Sequence, residues 1–201
     1  MKIKYAIFDV GGVCYPYTLA PLSQYFRNKT SDKNAFDTQN AVKSFDYNPF
    51  MLGQIDFTQF CQDLCNHFNI SYSPNIEPEI NAAMHAGVGP FFAETLTAIN
   101  NLKQHNITIC LLSNALPNLA KTANTLANDD NIFVSYKLGL LKPNPQIYQK
   151  VLQKLNAKPA ETIFIDDKPK NVEAANLLGI NGIIFNRQTI IDEINKLICS
   201  D

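Results

Sequence analysis

Tyr5-Ala6-Ile7-Phe8-Asp9-Val10-Gly11-Gly12 runs from an apolar segment into a carboxylate and then two glycines. That is the pattern of a buried strand closing in a tight turn. A second run, Thr162-Ile163-Phe164-Ile165, ends on Asp166-Asp167 in the same way. Between them, Cys110-Leu111-Leu112 leads into Ser113-Asn114, and Lys142 lies within Gly139-Leu140-Leu141-Lys142-Pro143. In an open α/β sheet the ligand crevice forms outside the carboxyl ends of the strands. Three aspartates, a serine and a lysine gathered there can hold a magnesium ion and a phosphate together.

Working outward, two textures divide the chain. From about residue 90 onward, apolar strand segments alternate with helical ones. Ile107 to Leu112 reads as a strand, and Pro117 to Ala127 as a helix with proline near its first turn. Ile132 to Ser135 reads as a short strand, and Asn144-Pro145 as the N-cap and first turn of a helix over Gln146 to Leu155. Thr162 to Ile165 is a strand, Asn171 to Leu178 a helix stopped by Gly179, Ile183 to Phe185 a strand, and Ile190 to Ile198 an amphipathic helix. This alternation predicts βαβ units and a Rossmann-like, doubly wound parallel sheet of five strands.

Residues 15 to 88 differ. Tyr25, Phe26, Phe36, Phe57, Phe60, Leu64 and Phe68 recur at helix-compatible spacings, punctuated by Pro16, Pro21, Pro49, Pro74 and Pro78. No segment there reads as a strand, so a helical bundle inserted after the first strand is expected. The expected division is an α/β core of residues 1–14 and 89–201 with a helical cap of residues 15–88.

Composition excludes several classes. At 201 residues and 46% hydrophobic, the chain can bury a sizeable core. A net charge of -1 gives no electrostatic footprint for nucleic acid or a membrane surface. No apolar stretch reaches the about 18 residues that a membrane span needs, and Met1-Lys2-Ile3-Lys4 does not read as a signal peptide. Five scattered cysteines suggest reduced core thiols and a cytoplasmic protein, not a disulfide framework. His67, His85 and His105 lack the spacing of zinc ligands and read as surface or cap residues.

Phe8-Asp9-Val10-Gly11-Gly12-Val13, Leu112-Ser113-Asn114, Leu138-Gly139-Leu140-Leu141-Lys142-Pro143 and Phe164-Ile165-Asp166-Asp167 resemble the four ordered motifs of the haloacid dehalogenase-like superfamily. The intervals suit its subfamily with a helical cap after the first strand. Gly139 to Tyr148 and Asp166 to Gly179 are most similar to the bacterial sugar-phosphate phosphatases of the glucose-1-phosphate type. The resemblance implies Asp9 as the nucleophile that forms an aspartyl-phosphate. It also implies Mg²⁺ held by Asp9, the Gly11 carbonyl and Asp167, with Asp166 orienting that shell. Lys142 would be a catalytic cation that also binds phosphate, and the Ser113 hydroxyl and Asn114 backbone N–H would grip phosphate oxygens at a helix N-terminus. The implied partner is a small phosphorylated metabolite, and the chain itself is expected as a monomer or homodimer. Retention of Asp166 and Asp167 argues for metal and phosphate and against dehalogenation.

One position departs from that pattern. Most phosphatases of the superfamily carry a second Asp two residues after the nucleophile, as the general acid–base, and here that position is Gly11. Such a group is typically worth roughly 10²–10⁴-fold. Two readings stay open: a phosphatase for small phosphorylated metabolites such as sugar phosphates, or a phosphate-ligand-binding protein with little turnover. Phosphomutase activity normally needs the missing acid and is discounted. Substrate choice is expected in the cap, with Tyr15, Tyr17, Asn48 and the polar residues Gln54 and Asp56 of the 52–57 turn as candidate sugar contacts.

Overall fold

The computed structural model describes residues 2–30, 42–119 and 121–199. Its centre is β1 (Tyr5–Phe8), paired in parallel with β2 (Thr108–Ser113) on one side and β4 (Thr162–Asp166) on the other. β3 (Ile132–Val134) extends the sheet beyond β2 and β5 (Asn181–Ile184) beyond β4, giving the order β3-β2-β1-β4-β5. The chain winds from β1 through β2 to β3, then crosses back to β4 and β5. The switch point of the winding therefore lies between β1 and β4, where such sheets place their ligands.

Strand side chains alternate between two faces. Ala6, Phe8, Ile109, Leu111, Ile163 and Ile165 share one apolar cluster with buried residues of two helices, α5 (Ala93–Gln104) and α9 (Ile190–Ile198). Ile7, Cys110, Leu112 and Phe164 share another with buried residues of α7 (Pro145–Leu155) and α8 (Pro169–Asn176). Burial on both sides is why these strands read as nearly continuous apolar runs. In α7, the Asn144 side chain caps the start by accepting the Gln146 N–H at 2.9 Å. The chain leaves that helix at Asn156 in a left-handed conformation.

Among the described residues, four α-helices lie between β1 and α5: α1 (Ala20–Lys29), α2 (Asn48–Met51), α3 (Phe57–His67) and α4 (Ile76–His85). They enclose their own cluster, including Leu22, Phe26, Phe50, Phe60, Leu64 and Ile80. Phe50 and Phe60 stack at 4.3 Å, and Asp56 caps α3 by accepting the Gln59 N–H at 2.8 Å. Phe36, expected in the aromatic stripe, lies outside the described residues. The cluster also takes in Leu116 and Leu119 from the loop after β2, so its packing reaches the sheet's carboxyl edge. No helix among the described residues is long and apolar enough to cross a membrane.

The expected helix over Pro117 to Ala127 does not form. Pro117–Leu119 makes a single 3-10 turn, and successive turns follow, with Thr122 N–H bonded to Leu119 O and Leu126 N–H to Ala123 O. Asn118, Thr122 and Asn124 favour turns over helix interiors. The Thr122 hydroxyl is bonded back to the Leu119 carbonyl. Ser135 is not the end of a strand. It opens α6 (Ser135–Leu138), and its hydroxyl donates to the Met51 carbonyl at 2.7 Å. The last strand begins earlier than expected, at Asn181, whose amide donates to the Thr162 carbonyl at 3.0 Å. Four cysteines are buried, but Cys199 is exposed at the end of α9.

The chain crosses between the two clusters twice, and the crossings run side by side. Thr18 N–H donates to Gly87 O at 3.0 Å, and Gly89 N–H donates to Pro16 O at 2.9 Å. A Cβ on Gly87 would lie 2.0 Å from the Thr18 carbonyl oxygen, so only glycine permits this approach. Gly87→Ala is therefore expected to lower stability by about 1–3 kcal/mol, the usual cost of forcing atoms into packed backbone. Urea unfolding measures it, and an unshifted midpoint would show that the crossing tolerates separation.

Candidate active site

Register sets the site. Phe8 lies opposite Leu111 on β2 and opposite Ile165 on β4, so the next residues, Asp9, Leu112 and Asp166, reach the carboxyl edge at one level. The Lys142 ammonium sits among them, 2.7 Å from Asp9 Oδ1, 2.7 Å from Asp166 Oδ2 and 2.8 Å from the Leu112 carbonyl. All three N–H donors of the ammonium are engaged. Lys142 is held there by Asn114, whose Oδ1 accepts the Lys142 N–H at 2.8 Å and whose Nδ2 donates to the Lys142 carbonyl at 2.9 Å. The Asn114 side chain thus builds the lysine's seat.

Asp166 is wholly buried and fully engaged. Its Oδ1 accepts the Lys168 N–H and the Asn171 amide, each at 2.9 Å, while Oδ2 accepts Lys142 and, at 3.0 Å, the same Asn171 amide. Asp167, next along the chain, is exposed. Oxygens of Asp9, Asp166 and Asp167 lie within 4.8 Å of one another. Gly12 makes room for this group. It has a φ of +89°, and a Cβ there would fall 2.7 Å from Asp167 Oδ2. Gly11 is different, because a Cβ there would meet only Tyr17 Cβ at 3.7 Å, an ordinary contact.

Charge within the cluster is unevenly balanced. Burial pushes the Asp9 carboxyl above its ordinary 3.8, and the neighbouring Asp166 adds to this against the pull of Lys142. Asp167 is raised in the same way, first by burial, with Lys168 opposing and Asp166 adding. Burial alone would lower Lys142, but Asp9 and Asp166 outweigh it and hold the ammonium above its usual range. With Asp166 saturated, Asp9 and Asp167 are the two carboxylates placed to take a further cation, and a divalent ion suits such hard oxygen donors.

Ser113 ends β2, is buried and lines the same cavity of about 400 Å³ as Asp9, Gly11, Lys142 and Asp167. The expected helix N-terminus beyond Ser113 and Asn114 is absent, because only the 3-10 turn at Pro117–Leu119 follows. Among the candidate sugar contacts, Tyr15 and Tyr17 line the cavity and Asn48 does not. Gln54 and Asp56 line a separate open groove, where Asp56 is already engaged as the α3 cap. Sequence reasoning missed Asn171, which orients Asp166 and whose buried Oδ1 lacks a hydrogen-bond partner beside the cavity. The available signal was an amide five residues beyond Asp166, one helical turn into the following segment.

A family model described as haloacid dehalogenase-like hydrolase matches residues 3–179. The chain belongs to that family. It is 28% identical over 207 residues to mouse acyl-CoA dehydrogenase family member 10, a match covering 96% of this chain but only 19% of that protein. It is 27% identical over 186 residues to the sesquiterpene phosphatase astK of Aspergillus oryzae, covering 90% of this chain and 88% of that one. A HAD family enzyme from Bacteroides thetaiotaomicron, solved in complex with magnesium and inorganic phosphate, superposes with a TM-score of 0.74 at 23% identity. That superposition covers 92% of this chain and 95% of the other, and at this identity it speaks for the fold.

Removing Lys142 would leave two buried carboxylates without their cation. Lys142→Met is expected to cost about 3–5 kcal/mol at neutral pH in the presence of chelator. A raised carboxyl pKa means that the folded protein holds the proton more tightly than the unfolded chain. Stability is then lost as pH rises above 3.8 through the folded-state value. The deficit of the variant should accordingly shrink as pH falls from 7.5 toward 5. Urea unfolding at both pH values checks this, and a deficit independent of pH would show that lost packing, not charge, is responsible.

Proposed function

We propose that this haloacid dehalogenase-like hydrolase is a magnesium-dependent phosphatase acting on a small phosphorylated metabolite through an aspartyl-phosphate. The observation that carries the reading is the Asp9 carboxylate at the end of the central strand, held by Lys142 at 2.7 Å and opening on a cavity shared with Asp167 and Ser113. A phosphatase among its relatives and a magnesium–phosphate complex of a protein of the same fold support it.

In this reading Lys142 fixes Asp9 Oδ1 and lowers the charge that an approaching phosphate meets, leaving the other oxygen to attack phosphorus. The new Oδ–P bond forms as the P–O bond to the leaving oxygen breaks, and that oxygen takes a proton from solvent water to leave as the alcohol. Water then attacks phosphorus, gives up a proton to solvent, breaks the Oδ–P bond, and returns Asp9 with release of inorganic phosphate. Ser113 and the Asn114 N–H bind phosphate oxygens, while Asp166, engaged by Lys142, Lys168 and Asn171, keeps the acidic group in place. Asp9, Asp167 and the Gly11 carbonyl would hold Mg²⁺, which when bound neutralises phosphoryl charge and polarises the P–O bonds. Sugar phosphates are the substrate class implied by the sequence resemblance. Asp9→Asn, or wild type with excess chelator, should lose phosphatase activity on any ester that the wild type cleaves. Undiminished turnover in either would remove this mechanism.

Gly11 favours the second reading, a phosphate-binding protein with little turnover, because it supplies no carboxylate to protonate the leaving oxygen. The open space at its Cβ position makes the comparison direct. If proton donation limits the reaction, wild type should cleave aryl phosphates far better than simple alkyl ones. Gly11→Asp should raise kcat/KM most for the poorest leaving groups, by up to roughly 10²-fold. A graded ester series measures both. A wild type indifferent to leaving-group pKa would mean that another group delivers the proton, and phosphate binding with no turnover across the series would favour the binding protein.

A further inference from the structure

The polar and apolar parts of the cavity are separated. Its charged lining residues among those described, Asp9, Lys142, Asp167 and Lys168, all belong to the phosphate end. Away from that end the wall is Leu19 and Met51 from the helical segment, with Leu116, Leu119 and Ala123 from the turns after β2. Three tyrosines also contribute, but two have their hydroxyls engaged within the protein. Tyr15 bonds to the Thr122 hydroxyl, and Tyr47 donates to the Val42 carbonyl at 3.0 Å. Tyr17 alone among the three has a buried hydroxyl with no hydrogen-bond partner.

We propose that the substrate is a phosphomonoester whose body is uncharged and mainly apolar, and not a polyhydroxylated sugar. The inference rests on the phosphatase reading for the position of the phosphate. A volume of about 400 Å³ suits a body of ordinary small-molecule size. An alkyl or aryl body gains by leaving water for such a wall. A sugar hydroxyl that enters it exchanges water for a wall with few side-chain donors or acceptors among the described residues, and each unmet one weakens binding by about tenfold. A hexose phosphate brings several hydroxyls to that wall.

The test compares esters of primary alcohols, so that the leaving groups are of one kind: 2-phenylethyl phosphate, n-hexyl phosphate and glucose 6-phosphate, each with Mg²⁺. 4-Nitrophenyl phosphate serves as the control for turnover. The expected result is a kcat/KM for 2-phenylethyl phosphate at least about 100-fold above that for glucose 6-phosphate, the cost of two of its four free hydroxyls going unmet. Calorimetry on Asp9→Asn, which should bind without hydrolysing, is expected to rank the same ligands in the same order. Equal or better performance by glucose 6-phosphate in either measurement would overturn the proposal. If no ester turns over, 4-nitrophenyl phosphate included, the phosphatase reading fails and calorimetry alone decides. Tighter 2-phenylethyl phosphate then upholds the apolar body, while a tighter sugar phosphate, or no binding of either, refutes it. Met51→Gln, which puts an amide on the wall at nearly constant volume, should narrow the ratio at least threefold. An unchanged ratio would place the substrate body elsewhere and count against the proposal.

Discussion

One ammonium group ties the sheet's centre together. The Nζ of Lys142 touches the ends of three adjacent strands, through Asp9 after β1, Asp166 on β4 and the Leu112 carbonyl on β2. Parallel register forces two of those ends to be carboxylates side by side, an arrangement that repels itself unless a cation lies between them. Because lysine and both acids are buried, a loose fit would leave unpaired charge in a low-dielectric site, and the geometry has to be exacting. That explains the two hydrogen bonds by which Asn114 seats the lysine's backbone. It also explains why Asp166 accepts from Lys168 and Asn171 in addition to Lys142.

Full engagement of Asp166 gives neighbouring acids different capacities. Asp166 has its lone pairs taken by the protein, whereas Asp9 and Asp167 keep room for something from outside. Consecutive glycines differ for a similar reason. Gly12 is required by its positive φ and by the closeness of Asp167, while Gly11 has space for a side chain that it does not carry. Nothing in the packing demands glycine at residue 11. The missing carboxylate is therefore a chemical property of the site and not a by-product of the fold.

Strands and the main helices were legible because each had a strong local cause. Buried strands read as apolar runs, Asn144-Pro145 marks the start of α7, and the apolar face of Ile190–Ile198 marks α9. The segment from Pro117 to Ala127 misled, since its apolar residues suit a helix while its Asn and Thr side chains compete for the backbone. At the site, the residues drawn from four motifs do converge on one sheet edge. Asn171 was missed because an amide five residues beyond Asp166 reads equally well as an ordinary helix residue, and only folding shows that it supports the carboxylate. Of the candidate sugar contacts, Tyr15 and Tyr17 do line the cavity, but polarity in a sequence does not show whether a hydroxyl or carboxylate is already used. Asp56 is used by a helix cap, and Tyr15 by Thr122.

The cavity draws its two ends from different parts of the fold, and this separates chemistry from selectivity. The charged end belongs to strand ends fixed by sheet register, so changes there disturb the lysine, the acids and the sheet together. The far wall comes from Leu19 and Met51 on one side and from Leu116 and Leu119 on the other, where the second apolar cluster reaches the loop after β2. Ser135 adds a hydrogen bond from the sheet side to the Met51 carbonyl, which ties the wall to the frame through backbone and not through a side chain. Side chains on that wall can therefore change in size and polarity with little effect on Lys142 or its partners. On the proposed phosphatase reading, such a wall lets one charged frame serve different substrate bodies, because neither the register nor the buried charge cluster constrains its residues.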